Sequence, residues 1–164
     1  MTTRTRTWAP VVAGAAAAMV VAGLGGAITD LGPWYQGLRK PDWQPPDWLF
    51  GPAWTLIFAL AALSFIVAWR AAPDRRSRAW IVALFAVNGL FNILWSAFFF
   101  RLQRPDWALV EVCLLWLSIL MLIITLARIS RLASRLLMPY LVWVTFAALL
   151  NLAVVRLNYP FQES

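Results

Sequence analysis

Residues 40–55 read KPDWQPPDWLFGPAWT, so four prolines and three tryptophans share one short stretch. Each proline fixes φ at about −65°, lacks an amide donor and pushes the residue before it toward extended geometry. We therefore predict a stiff, non-helical segment over residues 41–46. Asp47 is predicted to cap a helix beginning at Trp48, and Pro52 lies near that helix's start, where proline is tolerated. Because tryptophan prefers the membrane–water boundary, the stretch predicts either a rigid lid leading into a membrane helix or an ordinary proline-rich interfacial loop.

The composition is far from that of a soluble domain, because 62% of the residues are hydrophobic and 13% are charged. Soluble domains are about half apolar and about a quarter charged, so we predict an integral membrane protein. The chain has no histidine and one cysteine, Cys113. This excludes an intrachain disulfide and any Ser/His/Asp or Cys/His nucleophilic site. It also argues against a zinc or haem site built from His and Cys, so we expect no metal and no cofactor.

Five apolar runs are long enough to cross a bilayer, which takes about 20 mostly apolar residues. They cover residues 8–29, 48–69, 80–100, 107–127 and 136–155. The first run is longer than a signal-peptide core and no clear A-x-A site follows it, so we count it as a helix. The fold class predicted is an all-α integral membrane protein. Residues 1–164 are expected to form a single bundle of five transmembrane helices, with a long Pro/Trp-rich first loop, residues 30–47, as a lid.

Arginine supplies almost all of the net charge of +7. In a membrane protein, arginine in the loops usually sets the orientation of the helices and contacts anionic membrane lipid. We therefore do not expect nucleic-acid binding. One side of the predicted membrane has nine cations: Arg4, Arg6, Arg70, Arg75, Arg76, Arg78, Arg128, Arg131 and Arg135. The other side has five: Arg39, Lys40, Arg101, Arg104 and Arg156. The positive-inside rule then places the N-terminus in the cytoplasm if the protein lies in a plasma membrane.

The third predicted helix has a polar face and a small-residue face. Asn88, Asn92 and Ser96 recur every four residues, beside Trp95, and polar groups in hydrocarbon normally face the bundle interior. They predict either a functional face or hydrogen bonds between helices, worth about 0.6–2 kcal/mol each. The opposite face is a stripe of alanines at positions 79, 83 and 86, which suits close approach of another helix and predicts a homodimer.

Three other helices place large aromatic residues on one face with small ones. These faces are Phe50, Trp54 and Ala61 on the second helix, Trp107, Glu111 and Leu114 on the fourth, and Trp143, Ala147, Leu150 and Asn151 on the fifth. Aromatic rings beside alanines leave room for a flat apolar ligand, and plain aromatic packing would give the same pattern. Glu111 follows Trp107 by one helical turn, so it either reaches the interface or is a buried functional carboxylate.

Ordered motifs run through nearly the whole chain. They are WYxxLxKP at 34–41, WxPPxW at 43–48, GPxWT at 51–55, FNxxW at 91–95, FF at 98–99, WAL at 107–109, PYLxW at 139–143 and LN at 150–151. Together they resemble the translocator protein family, also called tryptophan-rich sensory or peripheral benzodiazepine receptor-like proteins, in its bacterial form. Because the whole set occurs in order at matching spacings, the resemblance is highly specific.

The resemblance implies a five-helix bundle, often dimeric, with a cavity capped by the first loop. The family is associated with porphyrins, sterols and synthetic isoquinoline or benzodiazepine ligands, and some bacterial members with light-dependent porphyrin degradation and stress regulation. By motif position, Trp54 and Trp143 resemble its paired cavity tryptophans. With the faces above, the predicted ligand-binding set is Tyr35, Trp43, Phe50, Trp54, Asn92, Trp95, Trp107, Leu114, Trp143, Ala147, Leu150 and Asn151.

Two positions depart from the family pattern. Members often have a proline after the third-helix tryptophan, and Ser96 and Ala97 stand there in this chain, so the resemblance does not carry a kink over. The sterol-recognition pattern of the last helix needs a tyrosine where this chain has Leu152, which weakens the case for sterol binding.

We therefore expect a membrane receptor or transporter-like sensor that binds porphyrins, protoporphyrin or haem, in a tryptophan-lined cavity. Arg39 and Lys40 near its mouth would meet the propionates. One alternative is an enzyme that degrades protoporphyrin by light-dependent oxidation, with Trp54 and Trp143 as catalytic residues. Another is a sterol-binding or scaffold membrane protein. Saturable binding separates the first two hypotheses from a scaffold, and light-dependent product formation separates them from each other.

Overall fold

A computed structural model describes residues 5–161, and that part of the chain is helical with no strand. Its helices are α1 (Thr5–Ile28), α2 (Pro33–Gly37), α3 (Phe50–Ala71), α4 (Arg75–Ser96), α5 (Pro105–Ala127), α6 (Arg131–Leu136) and α7 (Met138–Asn158). A 3₁₀ turn, Asp47–Leu49, precedes α3, and a π-helical turn, Ala97–Arg101, continues α4. The charges of Arg4 and Arg6 and the interfacial position predicted for Trp8 lie outside the described side chains.

Within residues 5–161, four helical segments are long and apolar enough to cross a membrane. They are Asp47–Ala71, Arg75–Arg101, Pro105–Ala127 and Arg131–Asn158, with 25, 27, 23 and 28 residues. The last of these combines α6 and α7, which are separated only by Leu137. α1 is a further apolar helix. The predicted loop is not irregular throughout, because it contains α2 and ends in the 3₁₀ turn.

α5 lies at the centre of the helix packing, in contact with α4, α6 and α7. One face of α5 is completely buried and supplies Val112, Leu115, Ile119, Leu122 and Leu126 to the core. α1 packs on the other side of the molecule, against α3 and α4. The region between α1, the N-terminal half of α3, the C-terminal half of α4 and α7 is consequently left for a cavity.

Polar side chains connect the helices inside the bundle. Asn88 donates to the Ser118 hydroxyl on α5 at 2.8 Å, and Asn92 donates to the Tyr140 hydroxyl on α7 at 3.2 Å. The interpretation of these asparagines as links between helices is therefore confirmed. Ser96, the third member of the predicted polar face, is 7% exposed and lies beside the cavity described below.

A capping side chain marks the start of two of the described helices, Asp74 for α4 and Ser130 for α6. The Asp74 carboxylate accepts from the Ser77 amide at 2.6 Å and caps α4, which lowers the pKa of Asp74. Asp47 was predicted to cap the second membrane helix, and this prediction is wrong. It is the first residue of the 3₁₀ turn and makes no capping bond, because its carboxylate accepts bonds from Tyr35 and Gln44 in the loop instead. Residues 41–46 contain no helix.

The end of α4 continues into a π-helical turn that contains no proline. The Leu102 amide donates to the Ala97 carbonyl at 2.9 Å, five residues back, which is the hydrogen bond of a π-helical turn. Such turns are rare and often lie at functional sites. The wider turn places three consecutive phenylalanines, residues 98–100, around the end of the helix. Phe99 and Phe100 border the cavity, and Phe98 packs against Trp107 on α5.

Candidate ligand cavity beneath the first loop

A cavity of about 450 Å³ lies beneath the first loop. Its described wall comes from α1, the loop, α3, α4 with its π-helical turn, and α7, and none of it from α5 or α6. The wall residues in the helices, with Thr29 directly after α1, are Ala22, Gly25, Gly26, Thr29, Phe50, Gly51, Trp54, Thr55, Phe58, Asn92, Trp95, Ser96, Phe99, Phe100, Trp143, Ala147, Leu150, Asn151 and Val154. The loop adds Leu31, Tyr35, Leu38, Lys40, Gln44 and Asp47.

Two tryptophans from different helices form the centre of the aromatic wall. The ring centroids of Trp54 and Trp143 are 6.5 Å apart, and the planes meet at 89°. Trp54 also stacks on Phe58 at 5.4 Å, and Trp143 contacts the edge of Phe50 at 5.8 Å. Edge-to-face and offset contacts of this kind hold aromatic rings in place. The wall therefore presents rigid indole surface from both α3 and α7.

The N–H group of the Trp143 indole makes no hydrogen bond to the described residues. Its Nε1 is buried and has no hydrogen-bond partner among the described residues. Asn151, also in the wall, is fully engaged: with its amide oriented to suit its neighbours, it donates to the Pro105 carbonyl at 3.0 Å and accepts from the Leu109 amide at 3.1 Å. Asn151 thus joins α7 to the start of α5, whereas Trp143 keeps a free donor, a feature that invites a functional explanation.

The opposite wall, on α1, is made of very small residues. A Cβ atom at Gly26 would meet nothing within 4 Å, and one at Gly25 would meet only the Ser96 hydroxyl, at 3.9 Å. Neither glycine has a positive φ, so a residue with a side chain could adopt the same backbone conformation at either position. Their missing side chains therefore contribute directly to the volume of the cavity.

The loop covers the cavity with a hydrogen-bonded cluster. The Tyr35 hydroxyl donates to Asp47 Oδ1 at 2.9 Å, and Gln44 Nε2 donates to the same oxygen at 3.1 Å. Lys40 Nζ lies 3.6 Å from Asp47 Oδ2 and 3.7 Å from the centroid of the Tyr35 ring. Burial and the neighbouring Asp47 raise the pKa of Tyr35 well above its usual range, so the hydroxyl keeps the proton that it donates.

A second contact joins the loop to the end of α7. The Arg39 amide donates to Asn158 Oδ1 at 2.8 Å, and Asn158 Nδ2 donates back to the Arg39 carbonyl at 2.8 Å. Arg39 therefore holds the loop through its backbone. Its side chain is exposed and is not part of the cavity wall, in contrast to Lys40.

Most of the predicted site residues meet at this cavity. Nine of the twelve line it: Tyr35, Phe50, Trp54, Asn92, Trp95, Trp143, Ala147, Leu150 and Asn151. Three do not: Trp43, Trp107 and Leu114. The placement of these three is a correction to the sequence prediction.

Trp43 belongs to the loop but points away from the cavity. It is 52% exposed, and the edge of its ring contacts Phe146 on α7 at 5.8 Å. Phe146 is adjacent in sequence to the wall residue Ala147 and lies on a different face of the helix. Trp43 therefore anchors the loop on the outside of α7.

Trp107 and Leu114 lie on the exposed side of α5, at 47% and 48% exposure. The buried face of this helix is centred on residues such as Ala108 and Leu115, about a quarter turn further round. The Arg104 guanidinium covers the Trp107 ring at 4.4 Å. Helical spacing correctly grouped Trp107 with Leu114, but it could not say that their shared face turns outward.

Glu111, between them in sequence, does not reach the interface. It is 4% exposed, and neither carboxylate oxygen has a hydrogen-bond partner among the described residues. The interpretation of Glu111 as an interfacial residue is therefore wrong. It is a buried carboxyl at the edge of the α5 core face and is not part of the described cavity wall.

Sequence reasoning missed the α1 wall and the part that Gln44 and Asp47 play in the site, although it placed Lys40 near the mouth of the cavity. Ala22 is followed three and four residues later by Gly25 and Gly26, so the three share one face of α1, and Thr29 comes directly after the helix, three residues past Gly26. This spacing was visible in the sequence and could have predicted the small-residue wall. The contact between Lys40, Gln44 and Asp47 depends on the bend of the proline-rich segment, and no spacing rule indicates it.

Known proteins resemble this chain over most of its length. The TspO/MBR family model matches residues 11–157. The tryptophan-rich protein TspO of Chlorobaculum tepidum is 41% identical over 125 residues, 76% of this chain and 79% of that protein. The tryptophan-rich sensory protein of Cereibacter sphaeroides is 35% identical over 139 residues, 85% of each. The translocator protein of Homo sapiens is 32% identical over 130 residues, 79% of this chain and 77% of that one. The predicted resemblance is confirmed, and the chain is an integral membrane protein of the TspO/MBR family.

Proposed function

We propose that this protein is a membrane receptor or transporter-like sensor that binds a flat tetrapyrrole, protoporphyrin or haem, in the cavity beneath the first loop. The supporting observation is the wall itself, where eight aromatic residues surround about 450 Å³. Ligand sites are typically clefts of about 300–1,000 Å³ with apolar and aromatic walls and a few polar groups. Two relatives are named a sensory protein and a translocator protein, which agrees with sensing or moving a ligand.

The cavity suits a planar ligand better than a compact one. Trp54 and Trp143 offer perpendicular indoles, and Gly25 and Gly26 leave open space facing them. A porphyrin inserted between α1 and these rings would stack on aromatic surface, and each such contact adds about 0.5–1.5 kcal/mol beyond burial. The Trp143 Nε1–H would supply a donor to a ligand acceptor after a small change of the indole's position.

Binding is tested by titration of the purified protein in nanodiscs of zwitterionic lipid. Protoporphyrin, haem and a sterol are added in parallel, and quenching of tryptophan fluorescence is followed. We expect saturable quenching by the porphyrins, since two wall tryptophans would contact them. The absence of saturable binding by any of the three would leave the scaffold hypothesis.

A glycine variant tests whether the ligand occupies this cavity. Gly26→Leu places a side chain in the open space of the wall, where a Cβ meets nothing within 4 Å. We expect porphyrin affinity to fall by about tenfold or more, with little change in stability. Gly23→Leu is the matched control, because Gly23 is equally unobstructed and lies outside the wall. Equal affinities of the two variants would place the binding site elsewhere.

A light-dependent porphyrin-degrading enzyme is the second candidate, because Trp54 and Trp143 lie in ring contact at the wall. A redox role requires the indole itself, whereas stacking requires only an aromatic ring. In Trp54→Phe and Trp143→Phe we therefore expect porphyrin affinity to fall by roughly tenfold or less and any light-driven loss of porphyrin to stop. Absorbance of bound porphyrin under illumination is the measurement. Photochemistry that survives both substitutions would exclude the enzyme hypothesis with these residues as catalysts.

We infer a single transmembrane domain of five helices, with α1 as the fifth span. α1 has 24 residues, enough for about 36 Å at 1.5 Å per residue, and it packs against α3 and α4. The excess of arginine on the side of the α3–α4 and α5–α6 connections supports a cytoplasmic N-terminus in a plasma membrane and contact with anionic lipid there.

We also propose a homodimer formed by the outer face of α4. Ala79, Ala83 and Ala86 are all exposed on the side of α4 opposite the buried Asn88 and Asn92. Small residues allow helix backbones to approach closely in lipid, where packing rather than hydrophobic burial drives association.

A further inference from the structure

Lys40 and Asp47 are the only charged side chains in the described cavity wall. They face each other across the proline-rich segment of the loop, with 3.6 Å between Lys40 Nζ and Asp47 Oδ2. Both are partly shielded, with side-chain exposures of 20% and 32%. Lys40 is therefore the cation of the described wall that an anionic group of a ligand would meet.

The two oxygens of Asp47 are held very differently. Oδ1 accepts hydrogen bonds from Tyr35 at 2.9 Å and Gln44 at 3.1 Å. Among the described residues, Oδ2 has only Lys40, at 3.6 Å, which is well beyond the roughly 2.7–2.9 Å of a strong charged hydrogen bond. The contact between Lys40 and Asp47 can thus break while Asp47 keeps both of its other partners.

Lys40 is already positioned to receive an anion. Its ammonium lies over the Tyr35 ring at 3.7 Å from the centroid, and Tyr35 is buried and hydrogen-bonded. The desolvation of the lysine is thereby largely complete before a ligand arrives. Displacement leaves the Asp47 carboxylate without its cation, and its 32% exposure and its hydrogen bonds from Tyr35 and Gln44 reduce the cost of that state.

We infer that Asp47 is a built-in competitor for Lys40, and that a carboxylate of the ligand displaces it when the ligand binds. This inference rests on the proposed porphyrin-binding function and deepens it. The cavity selects macrocycles that carry carboxylates, and Lys40, rather than its exposed neighbour Arg39, is the residue that recognises them. Ligand binding also breaks the ionic contact that joins the two ends of residues 40–47.

The inference is tested by comparing protoporphyrin with its dimethyl ester, which has the same ring and no carboxylate. Both are titrated into the protein in zwitterionic nanodiscs, with protein-free nanodiscs as the blank. In the unaltered protein we expect the diacid to bind about tenfold more tightly than the ester. Equal affinities of diacid and ester would overturn the inference and leave the proposed function standing. If neither ligand binds, both fail.

Three substitutions assign the roles of Lys40 and Asp47. Asp47→Asn keeps an oxygen for Tyr35 and Gln44 and removes the negative charge, so diacid affinity should rise several-fold while ester affinity stays the same. Lys40→Met should abolish the preference for the diacid, and Lys40→Arg should retain it. Arg39→Gln is the matched control and should bind both ligands as the unaltered protein does. An Asp47→Asn variant with unchanged or weaker diacid binding, or a diacid preference lost in Arg39→Gln, would overturn the inference.

Discussion

At the scale of single residues, the buried polar side chains fall into two groups, those with a hydrogen-bond partner and those without one among the described residues. Asn88, Asn92 and Asn151 each bond to another helix, so burial of their amides is compensated. Glu111 has no such partner for either oxygen among the described residues. A buried polar group without a partner destabilises the fold, and replacing it by an apolar group of similar volume is often neutral or stabilising.

Glu111→Met is therefore expected to leave the thermal stability in detergent unchanged or to raise it. Asn88→Leu is the matched control, and it should lower stability by about 0.6–2 kcal/mol because it removes the bond to Ser118. Thermal unfolding of the two variants measures both effects. A clear loss of stability in Glu111→Met would mean that the carboxyl has a stabilising partner, and a loss of porphyrin binding at full stability would give it a functional role.

The first loop behaves as one element with three points of attachment. Tyr35 and Gln44 hold Asp47 at the start of the 3₁₀ turn, Asn158 holds the backbone of Arg39, and Trp43 packs on Phe146. Between these points the prolines keep residues 41–46 stiff. A loop of this kind moves about its attachment points rather than unfolding, which suits a lid over the cavity.

Asn158→Ala removes both bonds to the Arg39 backbone and should speed porphyrin dissociation by about three- to tenfold, with a smaller effect on equilibrium affinity. Stopped-flow fluorescence measures the rate. Gln36→Ala is the matched control, because Gln36 lies in the same loop, is exposed and bonds only within the loop. Unchanged dissociation in Asn158→Ala would refute the role of this attachment in gating.

At the scale of the whole molecule, α5 organises the bundle and α4 offers the free surface. The buried face of α5 packs against α4, α6 and α7, so the remaining exposed face of α4 is available to another molecule. The alanines at 79, 83 and 86 make this face flat. A second copy could dock there without disturbing the cavity, whose wall uses the opposite side of the same helix.

Ala83→Leu should shift the purified protein toward the monomer, because a branched side chain keeps the two helix backbones apart. Light scattering after size exclusion in detergent measures the mass. Ala127→Leu makes the same substitution at the exposed end of α5 and should leave the dimer intact. A dimer that survives Ala83→Leu unchanged would place the interface on another helix.

Sequence alone predicted the helical membrane class, the family and nine of the residues that line the cavity. Apolar runs of about 20 residues and alternation of large and small residues every three or four positions are local properties, so they can be read without a structure. Tertiary structure decided which faces turn inward. Trp107 and Leu114 share a face of α5, and the packing of α5 against three other helices turns that face outward. Glu111 lies at the boundary between this face and the core face, and the same packing buries it. Tertiary structure also decided the path of the loop, which brings Lys40 next to Asp47 and places Trp43 against Phe146 instead of in the cavity wall. These contacts depend on how the chain bends, and no sequence periodicity relates the residues that make them.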